Sequence, residues 1–231
     1  WNPVQKWVNN AKNNQILVNN KNKLVGELTY TVEAESQNKE NFGEIWTDYV
    51  NVTDTLTLPE GITFPQGSKV DDSGEAIVDK NGNKIFYFPT NQKQQINIKS
   101  LKLENNNKVV YEIQVPNTNR NSENVLTAEM EHISLEMKMN ANLLELKEGY
   151  KDKSIQEMAH DKIENEVKMT PVPYKGSEGT VTSDKVTTTP TPVPEEFIVE
   201  KSANREHVQA GDAIQYTLSI TNTGENAIKV K

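Results

Sequence analysis

The chain has 231 residues, of which 34 % are hydrophobic, and a formal net charge of -8. This length suits one large domain or two smaller ones, and the acidic balance, without a long basic run, argues against a nucleic-acid partner. With no cysteine, disulfides, thiolate metal sites and thiol nucleophiles are excluded. No apolar run approaches the roughly 20 residues of a membrane helix. Opening on Trp1 without a methionine or signal peptide, and stopping at Lys231 within a strand-like pattern, the sequence reads as a piece of something longer.

In chain order, short alternating segments dominate. Val4, Lys6 and Val8 share one parity in VQKWV, and the asparagine-rich stretch that follows suits turns. In GELTYTVEAE, Leu28, Tyr30, Val32 and Ala34 alternate with Thr29, Thr31 and Glu33, the period-2 signature of a half-buried strand. Val50, Val52, Asp54 and Leu56 repeat the pattern, ended by a turn at Pro59 and Gly61. GITFPQGSKV and KIFYFPT are further short strands, with Asn81-Gly82 between them as a hairpin signal. QQINIKSLKLE and NKVVYEIQVPN continue the strand-rich series.

Residues 123–150 read either as helix, from their Glu, Met, Leu and Ala content, or as long strands, since Leu126, Ala128 and Met130 alternate. SIQEMAHDKI reads as a short helix with Ser154 as its cap and Glu157 three residues on. TVTSDKVTTT is expected as an edge strand, and residues 190–196 as a stiff proline-rich linker. From Phe197 a new unit echoes the first, with GDAIQYTL in place of GELTYTV. The expected architecture is all-β: an Ig-like β-sandwich over 1–189 with a short helical insertion, then the first strands of a second such unit over 197–231.

The motif VEKSANREHVQAGDAIQYTLSITNTG at 199–224 resembles the repeat domain of Gram-positive bacterial surface proteins. More loosely, VTDTLTLPEGITF at 52–64 and KIENEVKM at 162–169 look like segments of the same superfamily, and residues 4–30 are similar to its adhesin variant. Residues 123–155 then stand out as an atypical insertion. The resemblance implies an intramolecular isopeptide bond between a first-strand lysine and a late asparagine, assisted by a buried acid. Its chemistry needs a lysine neutralised by burial, an acid to move protons, and folding to bring them together. The matching positions are Lys6, Asp54 and Asn165, the last between Ile163 and Val167, so all three lie on apolar stripes. The same residue types on edge strands are more often plain surface residues. Lys12 is the substitute nucleophile and Glu27 the substitute acid; Lys201 is the equivalent lysine of the second unit.

Other groupings are weaker. His132 and Glu136 are four apart and would share a helix face, but no second histidine is near. Trp7, Trp46 and Tyr49 are either packing residues or a sugar platform. The acids of residues 70–83 have the wrong spacing for an EF-hand and read as a solvated loop, and the 51–53 sequon has no meaning in a bacterial host. No phosphate loop or catalytic triad is visible, so neither turnover nor a cofactor is expected. The resemblance implies an extracellular, cell-wall-anchored stalk or spacer module joined to adjacent repeats, with an adhesive module binding a host protein or glycan as the alternative.

Overall fold

The computed structural model describes residues 1–37, 45–193, 197–222 and 229. The chain begins with β1 (Gln5–Val8), β2 (Asn13–Val18), β3 (Leu24–Val25) and β4 (Glu27–Glu35). Next come β5 (Thr47–Thr57), β6 (Ile62–Thr63), β7 (Lys69–Val70), β8 (Ala76–Val78) and β9 (Lys84–Tyr87). They are followed by β10 (Asn97–Glu104), β11 (Lys108–Pro116), β12 (His132–Asn140) and β13 (Glu145–Leu146). After one helical turn, α1 (Ile155–Met158), the chain forms β14 (Ile163–Pro173) and β15 (Thr182–Pro192). Last are β16 (Phe197–Ala203) and β17 (Tyr216–Asn222). Every described non-glycine residue with positive φ is an asparagine: Asn9, Asn10, Asn22, Asn105, Asn106 and Asn124. Its short polar side chain tolerates the left-handed region, which is why the asparagine-rich stretches turn the chain.

Two large sheets result. One has the order β1-β4-β12-β9-β8-β7, the other β10-β11-β5-β14-β15-β2-β3. Their inner rows share one hydrophobic core, built on strict alternation. Leu28, Tyr30, Val32 and Ala34 point inward from β4, and Val109, Tyr111, Ile113 and Val115 from β11. Phe86 of the first sheet meets Tyr111 of the second edge-on, with ring centroids 5.6 Å apart. Each such side chain contributes roughly 1.5–3 kcal/mol by leaving water.

The 123–155 segment, expected as an atypical insertion, is built into the main fold. Its β12 lies inside the six-stranded sheet, paired along its whole length with β4. HISLEMKMN alternates perfectly, burying Ile133, Leu135, Met137 and Met139. Pairing and burial override the helix propensity of its Glu, Met and Lys residues. Upstream, Ala128 is exposed and Leu126 makes only an isolated bridge to Arg120, so the 126–130 alternation belongs to no strand. The expected helix is there but short, with Ser154 Oγ accepting from the Glu157 N–H at 3.1 Å.

β12 pairs with β9 only at Lys138 and Met139. Further along, two glutamine side chains cover its outer edge. Gln94 accepts from the Ser134 N–H (2.7 Å) and donates to the His132 carbonyl (2.7 Å). Gln92 does the same for the Glu136 N–H (3.1 Å) and carbonyl (2.6 Å).

β15 is not an edge strand. It lies between β14 and β2, and its pairing with β2 is parallel. Residues 190–192, expected in the linker, extend this strand opposite Ile16, Leu17 and Val18. β14 stops pairing at Thr188, so Pro190 and Pro192 sit where only β2 runs alongside. Residues 194–196 of the expected linker lie outside the described residues.

The β16–β17 hairpin repeats the register of β1 and β4. Lys201 faces Leu218 and Ala203 faces Tyr216. In the first unit Lys6 faces Val32 and Val8 faces Tyr30. Both strands of the hairpin are exposed throughout.

Candidate self-crosslinking site

The three residues singled out on apolar stripes come from three strands and both sheets. Lys6 is on β1, which pairs with β4 at the edge of the six-stranded sheet. Asp54 is on β5, flanked by Tyr111 of β11 and Val167 of β14. Asn165 is on β14, between Leu56 and Val186. Their exposures are 0 %, 1 % and 0 %. In each strand the polar residue takes an inward position whose neighbours at spacing two are aliphatic.

The side chains converge on the Asp54 carboxyl. Lys6 Nζ donates to Oδ2. Asn165 Nδ2 donates to Oδ1 at 2.7 Å and to the Thr55 carbonyl at 3.2 Å. A carbonyl can only accept, so the Thr55 contact fixes the amide with its nitrogen toward β5. Among the described residues Asn165 Oδ1 is left buried without a partner. Burial pushes the Lys6 ammonium below its ordinary value; the charge and hydrogen bond of Asp54, and then the charge of Asp184, oppose this. The dry environment thus favours the neutral, nucleophilic amine.

Asp184 holds β1 in place from outside. Its Oδ2 accepts from the Lys6 backbone N–H (2.7 Å) and from Lys12 Nζ (2.6 Å). Partial burial works to raise the Asp184 carboxyl, but Lys12 and the N–H groups of Lys6 and Lys185 outweigh it and hold it below the usual range. Lys12 also caps the Lys6 carbonyl (2.6 Å) and lies 4.4 Å from the centre of the Trp7 ring. With its side chain 41 % exposed, Lys12 is a clamp and does not enter the buried site. Glu27 is exposed at the start of β4 and takes no part either. Asp184 had no sequence signal: TSDKV is an ordinary polar strand, and only the fold brings it to β1. Tyr30 was visible as an inward residue, but its approach to Lys6, 5.3 Å from Nζ to ring centre, required the register of β1 on β4.

The remaining groupings disperse. His132 and Glu136 lie on a strand, where four residues span about 13 Å, so they do not meet as they would on a helix. Trp7 is on an outward position of one sheet and Tyr49 on the other, which separates them by the thickness of the core. Asp71 accepts from the Glu75 N–H (2.9 Å) and Ser73 hydroxyl (2.9 Å), and Asp79 from the N–H groups of Asn81 and Asn83 (both 2.9 Å). These carboxylates fold their own turns. Among the described residues no group of three or more His, Asp or Glu is placed to hold a metal ion, and no helix is long and apolar enough to cross a membrane.

No protein-family model matches the chain. No curated protein matches it in sequence. Solved structures give a distant, partial match to collagen-binding domains of Gram-positive surface adhesins. The collagen-binding subdomain (ACE19) of the Enterococcus faecalis surface protein ACE is 10 % identical, covering 83 % of this chain and 97 % of that one, with a TM-score of 0.30. A longer ACE structure from E. faecalis, described as binding its ligands by a collagen hug, is 9 % identical over 84 % of this chain and 52 % of that one, at 0.31. The collagen-binding domain of a Staphylococcus aureus adhesin is 8 % identical over 80 % and 96 %, at 0.29.

Proposed function

We propose that the chain is a non-enzymatic, Ig-like module of a Gram-positive cell-surface protein, built to carry load and locked by an amide between Lys6 Nζ and Asn165 Cγ. The observation that supports this reading is the single carboxyl of Asp54 touching both nitrogens that such a reaction exchanges, in a core without water access. A proton passes from Nζ to Asp54, leaving a neutral amine beside a carboxylic acid. The amine attacks Cγ. Asp54 gives its proton to Nδ2 and takes one from Nζ, the Cγ–Nδ2 bond breaks, and ammonia leaves. The geometry favours Asp54 as a proton shuttle rather than as a donor to the amide oxygen. The bond would tie an edge strand of one sheet to an inner strand of the other, joining the two layers. The β16–β17 hairpin, with its matching lysine and tyrosine, supports a tandem arrangement in which the neighbouring partner is another unit of the same kind.

Intact-mass measurement and peptide mapping of the purified chain test this. A loss of about 17 Da, one ammonia, with a branched peptide joining the Lys6 and Asn165 segments, is expected. An unmodified mass would remove the crosslink.

An adhesive role is the second reading. The observation that favours it is an open cleft of about 380 Å³ at one end of the fold, where Trp1, Ile45, Pro171 and Pro173 line an apolar wall next to Thr47 and Ser177. A host protein segment or glycan is the class of ligand such a wall accepts. Binding lost on Trp1→Ala, with the mass unchanged, would support it.

A further inference from the structure

The crosslinking reaction places developing negative charge on Asn165 Oδ1, and Asp54 is turned away from that atom. Resting on that reading, we propose that the hydroxyl of Tyr30 is a catalytic group that donates a hydrogen bond to Asn165 Oδ1 as the tetrahedral intermediate forms.

Three buried side-chain polar atoms lack a partner among the described residues: Tyr30 Oη, Glu129 Oε2 and Asn165 Oδ1. Two belong to the core around Lys6, and they are complementary. Oδ1 can only accept, and Tyr30 Oη is the one unpartnered atom of the three that carries a donor as a hydroxyl. Glu129 is committed elsewhere, its other oxygen accepting from the N–H groups of Thr47 (2.8 Å) and Met130 (2.7 Å).

Tyr30 also borders the site from the facing sheet. It is the inward residue of β4 next to Val32, which faces Lys6 across the β1–β4 pair. Its ring lies 5.3 Å from Lys6 Nζ, so it borders the nucleophile. Tyr111 is the useful contrast. Its ring is equally buried, but its hydroxyl donates to the carbonyl of Glu75 at 2.6 Å. Burial and then the charge of Asp54 push the Tyr30 hydroxyl well above its ordinary pKa, so it keeps its proton. An unpaired hydroxyl in a closed core is costly and calls for an explanation. A bond that forms only when charge appears on Oδ1 supplies one, and catalytic hydrogen bonds often tighten only at that stage. The second unit places Lys201 4.4 Å from the Tyr216 ring, so the lysine–tyrosine pair recurs where the register recurs.

The balance is that of the amide exchange. Counted from the ion pair, Nζ gives up two protons: one reaches Nδ2, which leaves as ammonia, and the other stays on Asp54, while the Tyr30 hydroxyl donates without losing its proton.

The test follows the mass of the chain and of Tyr30→Phe after refolding from denaturant, both recovered in the unfolded, unreacted state. The chain is expected to lose about 17 Da, and Tyr30→Phe to lose it at least about tenfold more slowly. Equal rates would overturn the role of Tyr30 and leave the crosslink standing. A chain that never loses ammonia would overturn the crosslink itself, and the assignment with it. The folding control is Tyr30→Phe in an Asn165→Ala background. Removing an unpartnered hydroxyl leaves no broken bond, so the thermal midpoint should match that of Asn165→Ala alone. A large drop would mean that the hydroxyl has a resting structural partner, which also overturns the proposal.

Discussion

Replacing Asn165 with alanine separates what the proposed amide would do from what the fold does. Lys6 and Asn165 are far apart in sequence, and an amide between them closes a loop of roughly 160 residues, for which the chain-entropy model gives about 5 kcal/mol of stabilisation at 25 °C. The 2.7 Å hydrogen bond from Nδ2 to Asp54 does not enter the comparison, because Nδ2 has already left the crosslinked parent as ammonia. For a domain of this size each kcal/mol moves the midpoint by roughly 2–4 °C, so a fall of about 10–20 °C is expected. The assay pairs calorimetry with intact mass on the same samples. Asn165→Ala should keep its full mass while the parent chain is lighter by about 17 Da. A crosslinked parent whose midpoint is within about 3 °C of the variant would refute the loop-closure reasoning.

Further outcomes follow from the same geometry. Lys6 has its pKa lowered from the ordinary 10.5 by burial, against the pull of Asp54 and Asp184. Between the lowered value and 10.5 the unfolded chain binds the extra proton, so the uncrosslinked fold gains stability as pH rises through that window. Denaturation of Asn165→Ala across pH 7–10 should show that rise, and it should vanish in Lys6→Met/Asn165→Ala. Asp184 is held below the ordinary 3.8, so its contribution is complete above that value and is lost as pH falls through the lowered one. Asp184→Ala, which frees the Lys6 N–H and Lys12 on a partly exposed surface, should cost about 1 kcal/mol in urea titration at neutral pH. Gln92→Ala/Gln94→Ala uncovers backbone groups of β12 from His132 to Glu136; light scattering should report self-association absent from the parent.

Much of the site was legible because strand parity is a local property. Lys6, Asp54 and Asn165 each sit at spacing two from aliphatic residues, and a polar side chain in such a row is forced into the core with its neighbours. What parity does not carry is which strands become partners. Asp184 reaches β1 from more than 170 residues away, and nothing around it announces that contact. The same gap explains β12: its glutamates and methionines favour helix locally, and only β4 beside it decides for strand. TTTPTP was read as edge and linker because prolines break ladders. It is admitted into the sheet because its parallel neighbour β2 continues after β14 has left.

The glutamines along β12 have a consequence for strand addition. An unpaired strand edge is a template, since any extended segment of matching polarity can dock on its amides and carbonyls. Here the amide head groups of Gln92 and Gln94 already stand where such a segment would run, each mimicking one residue of it. They arrive on flexible side chains, so they complete the edge without presenting a further edge of their own. Growth of a further strand along this stretch of β12 ends there.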